Sequence, residues 1–310
     1  MDFRSMQALK IISRNSPLAV WQAELVKERL TSLYPDLQIS ILGIATQGDK
    51  ILDKSLDKIG GKGLFIKELE TALLRGEADI AVHSLKDLPA NLLPEFTLAA
   101  ILERDDPRDA FISNYYADLT AMPAGAIIGT SSARRLALLH KYYPHLQVKL
   151  LRGNLQTRLR KLDNGEYDAI ILAAAGLKRL GLMQRIRQLL NVEQFIPAIG
   201  QGALAIEILH NCPQLANLLK PLTHEDSYIA TSAEREVGRY LAASCSVPIA
   251  VYATILYDQI TIKAMLADST AGIYYFAEAV ADKQDYLAAA TRCASQLIAQ
   301  GALTLLERYR

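Results

Sequence analysis

The feature that most constrains this chain is an alternation, sustained over its first two-thirds, of short β-prone runs with segments of helical apolar spacing. LKIIS (residues 9–13) reads as a strand, and a helix is expected over about residues 17–30, with Ser16 as N-cap and Pro17 at the first helical position. LQISILGIA is a second strand, GKGLFIKELETALLRGE carries apolar residues at helical spacing, and ADIAVHS is a third strand. GAIIGT then leads into SSARRLALLHKYY, VKLLRG into NLQTRLRKL, and DAIILAAAG into LKRLGL, with Asn164 and Gly165 placed to close one of these helices. Such a chain predicts an α/β fold with mostly parallel sheets covered on both faces. From about Pro221 the pattern changes to a helix over residues 226–241, the run SCSVPIAVYATI, alternating strands over residues 259–267 and 272–279, and a closing helix. That portion reads as a separate small α+β domain, and 310 residues suit two or three domains in all.

Several classes of protein are disfavoured. The longest apolar stretch, residues 169–177, falls well short of the ~20 residues a membrane helix needs. The opening MDFRSMQALKII has neither a signal-peptide core nor a cleavage site. Cys212, Cys245 and Cys293 form no metal spacing and no disulfide framework. Together these features point to the cytoplasm. A formal net charge of +1 provides no global field for nucleic acid, so any cationic site has to be local.

Local convergence is what the basic residues suggest. In open α/β sheets ligands bind beyond the carboxyl ends of the strands. Arg14 follows the first strand, Arg134 and Arg135 lie in the first turn of the helix after Thr130, Ser131 and Ser132, and Arg152 ends the VKLL run. Arg158 is one turn into the next helix, Arg179 follows IILAAAG, and Lys86 and Asp87 follow the strand ending at His83. Two cations in a first helical turn oppose the helix dipole by roughly 0.3–1 kcal/mol each, which a fold tolerates more readily when an anion sits there. Six arginines so placed predict a polycarboxylate or phosphate cleft, since the planar guanidinium grips a carboxylate bidentately with about 1.5–3 kcal/mol per charge-assisted bond. Thr130, Ser131 and Ser132 offer neutral donors beside them. Asp87, a carboxylate amid cations, reads equally as a salt-bridged loop residue or as an N–H acceptor and general acid/base. Gly60, Gly61 and Gly63 around Lys62 suit an anion cradle or a mobile loop. A lone cysteine is most often a small buried hydrophobe, which describes Cys212 and Cys293, and His83 in its apolar strand reads as structural.

The strings GGKGLFIKELE, ADIAVHSLKDLP, ERDDPRDAF, GTSSARR, LRGNLQTRLRKLDNGEYDAIILAAAGLKRLGL, PAIGQGALAIE and SCSVPIA resemble porphobilinogen deaminases, collinearly from about Ile11 to Ala250. The resemblance implies two α/β lobes like those of periplasmic binding proteins, residues 1–103 with 201–220 and residues 104–200, with the active site in the cleft between them. A small α+β C-terminal domain, residues 221–310, would carry Cys245 in thioether linkage to a dipyrromethane cofactor made from two substrate molecules. The implied reaction joins four porphobilinogen molecules on that primer with loss of ammonia and then releases hydroxymethylbilane by hydrolysis. Arg14, Ser16, Arg134, Arg135, Arg152, Arg158 and Arg179 match positions that bind the carboxylates of cofactor and substrate. Lys62, Ser84, Lys86 and Ser132 match cofactor contacts, with Thr130 and Ser131 beside them. Asp87 matches the catalytic aspartate next to Lys86, and Phe65 is expected to act as a lid over the reacting ring. A monomer is implied, with no nucleic acid, membrane or metal partner, its product passing to uroporphyrinogen III synthase. The alternative is a two-lobed carboxylate-binding protein without catalysis, against which stand Cys245 in its family-like loop and the lack of a signal peptide.

Three positions depart from the family pattern. Gln47 stands where arginine is usual, Ala133 where a larger apolar residue is common, and Ala243 and Ser244 where two glycines commonly precede the cysteine. Glycine permits backbone angles that Ala243 and Ser244 resist, which predicts a stiffer cofactor loop in a protein that still carries its cofactor. Ala243→Gly with Ser244→Gly is therefore expected to speed individual elongation steps in single-turnover kinetics. Unchanged stepwise rates would count against a stiff loop.

Overall fold

The computed structural model describes residues 7–46, 66–241 and 247–309. Strand β1 (Ala8–Arg14) buries Leu9, Ile11 and Ile12 completely. Helix α1 (Pro17–Leu33) starts at the expected cap: Ser16 is extended, its Oγ accepts the Ala19 N–H, and Pro17 opens the first turn. Ala23, Val26 and Leu30, three or four residues apart, join Leu9 and Ile11 in one core. Strand β2 (Gln38–Ile44), helix α2 (Lys67–Leu74) and strands β3 (Ile80–Ser84) and β4 (Phe96–Ile101) complete this run.

A second sheet follows, built from β5 (Asp109–Ser113), β6 (Ile127–Gly129), β7 (Gln147–Lys149), β8 (Ala169–Ala173) and β9 (Gln188–Leu189) in the order β7-β6-β8-β5-β9. Helices α3 (Ala133–Tyr142), α4 (Leu155–Asp163) and α5 (Ala174–Arg179) connect its strands. Helix α4 ends at Asn164, and Gly165 takes the left-handed conformation (φ +75°) that closes it. The chain then returns to the first sheet as β10 (Leu204–Leu209), between β3 and β4, giving the order β2-β1-β3-β10-β4.

The expectation of mostly parallel sheets is met with one exception in each sheet, a single strand that runs against the other four. β1 pairs parallel with β2 and β3, but β10 is antiparallel to both its neighbours. In the second sheet β6 is parallel to β7 and β8, whereas β5 is antiparallel to β8 and β9. Each antiparallel intruder is the strand fed by a crossover between the sheets. Apolar periodicity records burial and leaves strand direction unspecified. The crossovers run side by side: the Asp105 N–H donates to the Gly202 carbonyl (3.2 Å) and the Leu102 N–H to the Leu204 carbonyl (3.1 Å). Gly202 has φ +93°, and a Cβ there would lie 2.5 Å from the Asp105 carbonyl oxygen, so only glycine allows this approach.

After helix α6 (Pro213–Leu219), helix α7 (Glu225–Tyr240) leads into an antiparallel sheet of β11 (Ile249–Leu256), β12 (Gln259–Asp268) and β13 (Ile273–Asp282), closed by helices α8 (Tyr286–Ala299) and α9 (Ala302–Glu307). Val251, Ile262 and Leu266 pack with α7 and α8 in one core, while Ala250, Met265 and Ala267 join the core of the second lobe. The architecture is therefore two α/β lobes and a small C-terminal α+β unit. The bland readings hold for two residues. Cys293 is fully buried, its thiol pushed up to about 12 by burial, and the buried His83 pairs through Nε2 with Glu207 Oε2 at 2.9 Å. Among the described residues no helix is long and apolar enough to cross a membrane.

Candidate active site

A cleft of about 700 Å³ opens between the lobes, where the carboxyl ends of β1, β3 and β8 meet the N-termini of α1 and α3. Its rim is completed by the second crossover and, from the C-terminal unit, by Gly238, Val247 and Ile249. Nearly every described residue singled out from the sequence lines this one space. Arg14 and Ser16 come from the β1–α1 junction, and Ser16 serves also as the cap of α1. Ser84, Lys86 and Asp87 come from the end of β3 and the single 3-10 turn after it, Leu85–Asp87. Ser131, Ser132, Arg134 and Arg135 come from the start of α3, where the Ser132 Oγ accepts the Arg135 N–H. Arg152 and Arg158 flank the N-terminus of α4.

Three placements differ from the sequence reading. Thr130 does not line the cleft; it is buried, and its Oγ1 accepts the Ser132 N–H at 3.2 Å, so it shapes the turn. Arg152 lies three residues beyond β7, which ends at Lys149. Arg179 ends helix α5 rather than following strand β8 directly, because the strand stops at Ala173 and the helix already starts at Ala174. From there its Nη2 donates to the Gly202 carbonyl at 2.6 Å, with Nε 3.8 Å from Asp105 Oδ2, so it also ties the second lobe to both crossovers. Ala133 lines the cleft between Ser132 and Arg134. Lys62, Phe65 and Cys245, together with Gln47, Ala243 and Ser244, lie outside the described residues. Val247, two residues after Cys245, is on the cleft wall.

The electrostatics single out an excess of positive charge. Burial pushes the Lys86 ammonium down to about 8; Arg135 and Arg134 push the same way, while Asp87 and Asp109 oppose them. Burial likewise lowers Arg158 to about 10, with Arg135, Arg152 and Arg14 lowering it further and Asp87 opposing. The groups that perturb one another are the ones that line the cleft. Asp87 is exposed to this space and makes no hydrogen bond or ion pair with another described residue, so its salt-bridged reading finds no support among them. Among the described residues no cluster of three or more His, Cys, Asp or Glu side chains is arranged to hold a metal.

Sequence reasoning missed the anion on which Arg134 and Arg135 rest. Asp109, at the start of β5, is wholly buried and lies 2.8 Å from Arg134 Nη1 and 2.7 Å from Arg135 Nη2. The arginines hold its carboxyl far below the usual carboxylate range against the cost of burial. Part of the anion expected at this helix N-terminus is therefore internal. Gln22 was missed too: buried on α1, its Nε2 donates to Ser84 Oγ at 2.8 Å and fixes that hydroxyl at the cleft edge.

Residues 9–217 match the family model "Porphobilinogen deaminase, dipyromethane cofactor binding domain", and residues 228–298 match "Porphobilinogen deaminase, C-terminal domain". The chain belongs to the porphobilinogen deaminase family. A porphobilinogen deaminase of Laribacter hongkongensis is 54% identical over 305 residues, covering 98% of this chain and 99% of that protein. That of Chromobacterium violaceum is 53% identical over 303 residues, 97% of each chain. Among solved structures, the methionine-binding protein MetQ aligns over 74% of this chain and 94% of its own at TM-score 0.46 and 13% identity, a likeness too distant to carry functional weight. Within a porphobilinogen deaminase fold, then, the cationic cleft is the candidate active site.

The depressed Lys86 sets a pH dependence. A lysine whose folded value is about 8 is charged below that pH and loses its charge above it. Binding of a dicarboxylate to the cleft, followed by calorimetry, is expected to weaken about tenfold between about pH 7 and about pH 9, the loss of protonated Lys86 over that span. Lys86→Arg, which stays charged, is expected to hold its affinity across the same range. A parallel loss in both proteins would remove Lys86 from the binding site.

Proposed function

We propose that this chain joins four porphobilinogen molecules head to tail with loss of ammonia and releases hydroxymethylbilane, working on a dipyrromethane primer bound through a thioether to Cys245. The observation that carries this reading is a carboxylate, Asp87, standing unpaired at the edge of a cleft whose other ionisable walls are cationic. A polycarboxylate chain offers counter-charge to Lys86 and Arg158, which burial first and nearby arginines second push toward neutrality. The single carboxylate among them is then suited to the one positive centre the reaction develops. The described residues therefore fit a primer bearing acetate and propionate groups, and that primer, when bound, supplies the carbon on which the chain is extended.

Each side chain has a role that follows from its place. Arg134, Arg135, Arg158, Lys86, Ser84 and Ser132 hold the primer's carboxylates, with Lys62 joining them and the neutral donors Thr130 and Ser131 supporting the turn. Arg14, Ser16, Arg152 and Arg179 receive the incoming substrate's carboxylates, a planar fork gripping each in a fixed orientation. Asp87 accepts a hydrogen bond from a pyrrole N–H and stabilises positive charge on the substrate as ammonia departs, a preorganised electrostatic contribution in a partly dehydrated cleft. Lys86 beside it, pushed down to about 8 chiefly by burial, is suited to exchange a proton near neutral pH. Phe65 acts as a lid over the reacting ring. The chain divides into residues 1–103 with 201–220, residues 104–200 and residues 221–310, a partition supported by the paired crossovers that join the two sheets. It acts as a cytoplasmic monomer whose product passes to uroporphyrinogen III synthase.

Two variants separate attachment from chemistry. After incubation with porphobilinogen the intact mass of the protein is expected to exceed its sequence mass by whole pyrrole units, and Cys245→Ser is expected to stay bare. Asp87→Asn is expected to gain the covalent pyrroles slowly, if at all, and to lose at least about 99% of ammonia release, the loss typical of a charge-stabilising group. A protein that remains bare and releases no ammonia would leave only carboxylate binding for this cleft.

A further inference from the structure

The arginines at the start of α3 do not stand by themselves; they are the outer members of a buried polar chain. Asp109 Oδ1 accepts from Arg134 Nη2 (3.0 Å), from Arg135 Nε (3.0 Å) and Nη2 (2.7 Å), and from Gln201 Nε2 (2.9 Å). Each guanidinium is tied to the main chain as well: Arg134 Nη1 donates to the Ile196 carbonyl at 2.8 Å and Arg135 Nη1 to the Ile171 carbonyl at 2.9 Å. Gln201, on the second crossover, donates as well to the Pro107 carbonyl on the first (2.7 Å). Its own carbonyl accepts from Arg104 Nε at 2.8 Å, and Arg104 Nη1 is 2.6 Å from Glu234 Oε1 on α7. Glu234 in turn accepts the Ala253 N–H of β11 (2.8 Å) and the Gly200 N–H (2.7 Å).

We infer that Asp109 is the positioning residue for the anion site of the cleft, aiming Arg134 and Arg135 while Gln201 fixes Asp109 to both crossovers. Two adjacent buried guanidiniums repel one another, and without a shared counterion one of them would swing toward water. One carboxylate against two cations anchors both and leaves a net positive charge. Each guanidinium has five N–H donors, and the bonds to Asp109 and to a main-chain carbonyl do not use all of them. Asp109 touches no ligand in this scheme; it acts through the arginines. The inference rests on the reading that Arg134 and Arg135 bind carboxylates in the cleft.

The test is a double-mutant cycle between Asp109→Asn and Arg135→Gln, read as the KM for porphobilinogen, the kcat, and the extent of covalent pyrrole loading. Asparagine keeps the shape and removes the charge. Each single variant is expected to raise KM by about tenfold to a hundredfold, the worth of one or two charge-assisted bonds, with a smaller change in kcat. The double variant is expected to be no worse than the poorer single, because both changes remove the same aimed guanidinium. Multiplying defects would overturn the inference, since Asp109 would then act independently of Arg135. An unaffected Asp109→Asn beside an impaired Arg135→Gln would also overturn it, leaving the cleft reading intact. An unaffected Arg135→Gln would instead overturn the cleft reading itself. Gln201→Leu keeps the charge on Asp109 and removes only one neutral donor, which serves if Asp109→Asn fails to fold. It is expected to raise KM about threefold to tenfold, and again not to add to Arg135→Gln. An unchanged KM there would contradict the role given to Gln201 and, with no folded Asp109→Asn, the inference as a whole.

Discussion

The buried Asp109 carboxylate between two guanidiniums is the constraint to which the other features of the cleft are tied. A carboxylate taken wholly out of water survives only with its partners in place, and stripping one partner from a buried pair typically costs about 3–5 kcal/mol. Here the partners are Arg134 and Arg135 at the mouth of α3, with Gln201 from the second crossover. Asp109 thus fixes the start of β5, the first turn of α3 and the second crossover relative to one another. Because one negative charge meets two positive ones, the arrangement leaves the cleft short of anions. Lys86 and Arg158 are lowered chiefly by burial, and Arg135 pushes both further in the same direction.

The topology serves the same end. Both strands that run against their neighbours, β5 and β10, are fed by the crossovers, so Asp109 and Gln201 lie at the point where the chain changes lobes. Gly202 lets the crossovers touch, and Arg179 reaches across from α5 to the Gly202 carbonyl. Cleft-lining arginines and interlobe ties are interleaved along the same few residues.

Much of this was legible in the sequence for physical reasons. Capped starts such as Ser16-Pro17 and the Asn164-Gly165 end are local signals, and local hydrogen bonds decide them. The arginines were found because strand ends followed by helix starts can be read from periodicity, and those ends share one face of the fold. What stayed hidden depends on contacts between residues far apart in the chain. Strand direction in β5 and β10 is set by where the crossovers deliver them. Asp109 sits inside the ERDDPRDAF string among three other carboxylates, and nothing local marks it as the buried one. Arg179 was misplaced because AAAG reads equally as the end of a buried strand or the beginning of a helix. Thr130 reads as a neighbour of the ligand from its place before α3, but it is buried away from the cleft and its hydroxyl accepts the Ser132 N–H.

The claim at the centre of this account is that the cleft holds surplus positive charge which bound pyrrole carboxylates neutralise. The most direct measurement is the thermal midpoint of the protein free of pyrrole compared with the same protein after incubation with porphobilinogen and removal of excess. Relief of repulsion among buried cations adds stability to the folded state alone, and at roughly 2–4 °C per kcal/mol for a domain of comparable size the loaded protein is expected to melt at least about 5 °C higher. Equal midpoints for the bare and loaded proteins would contradict the claim, because the cations would then gain nothing from the anions the cleft is proposed to hold.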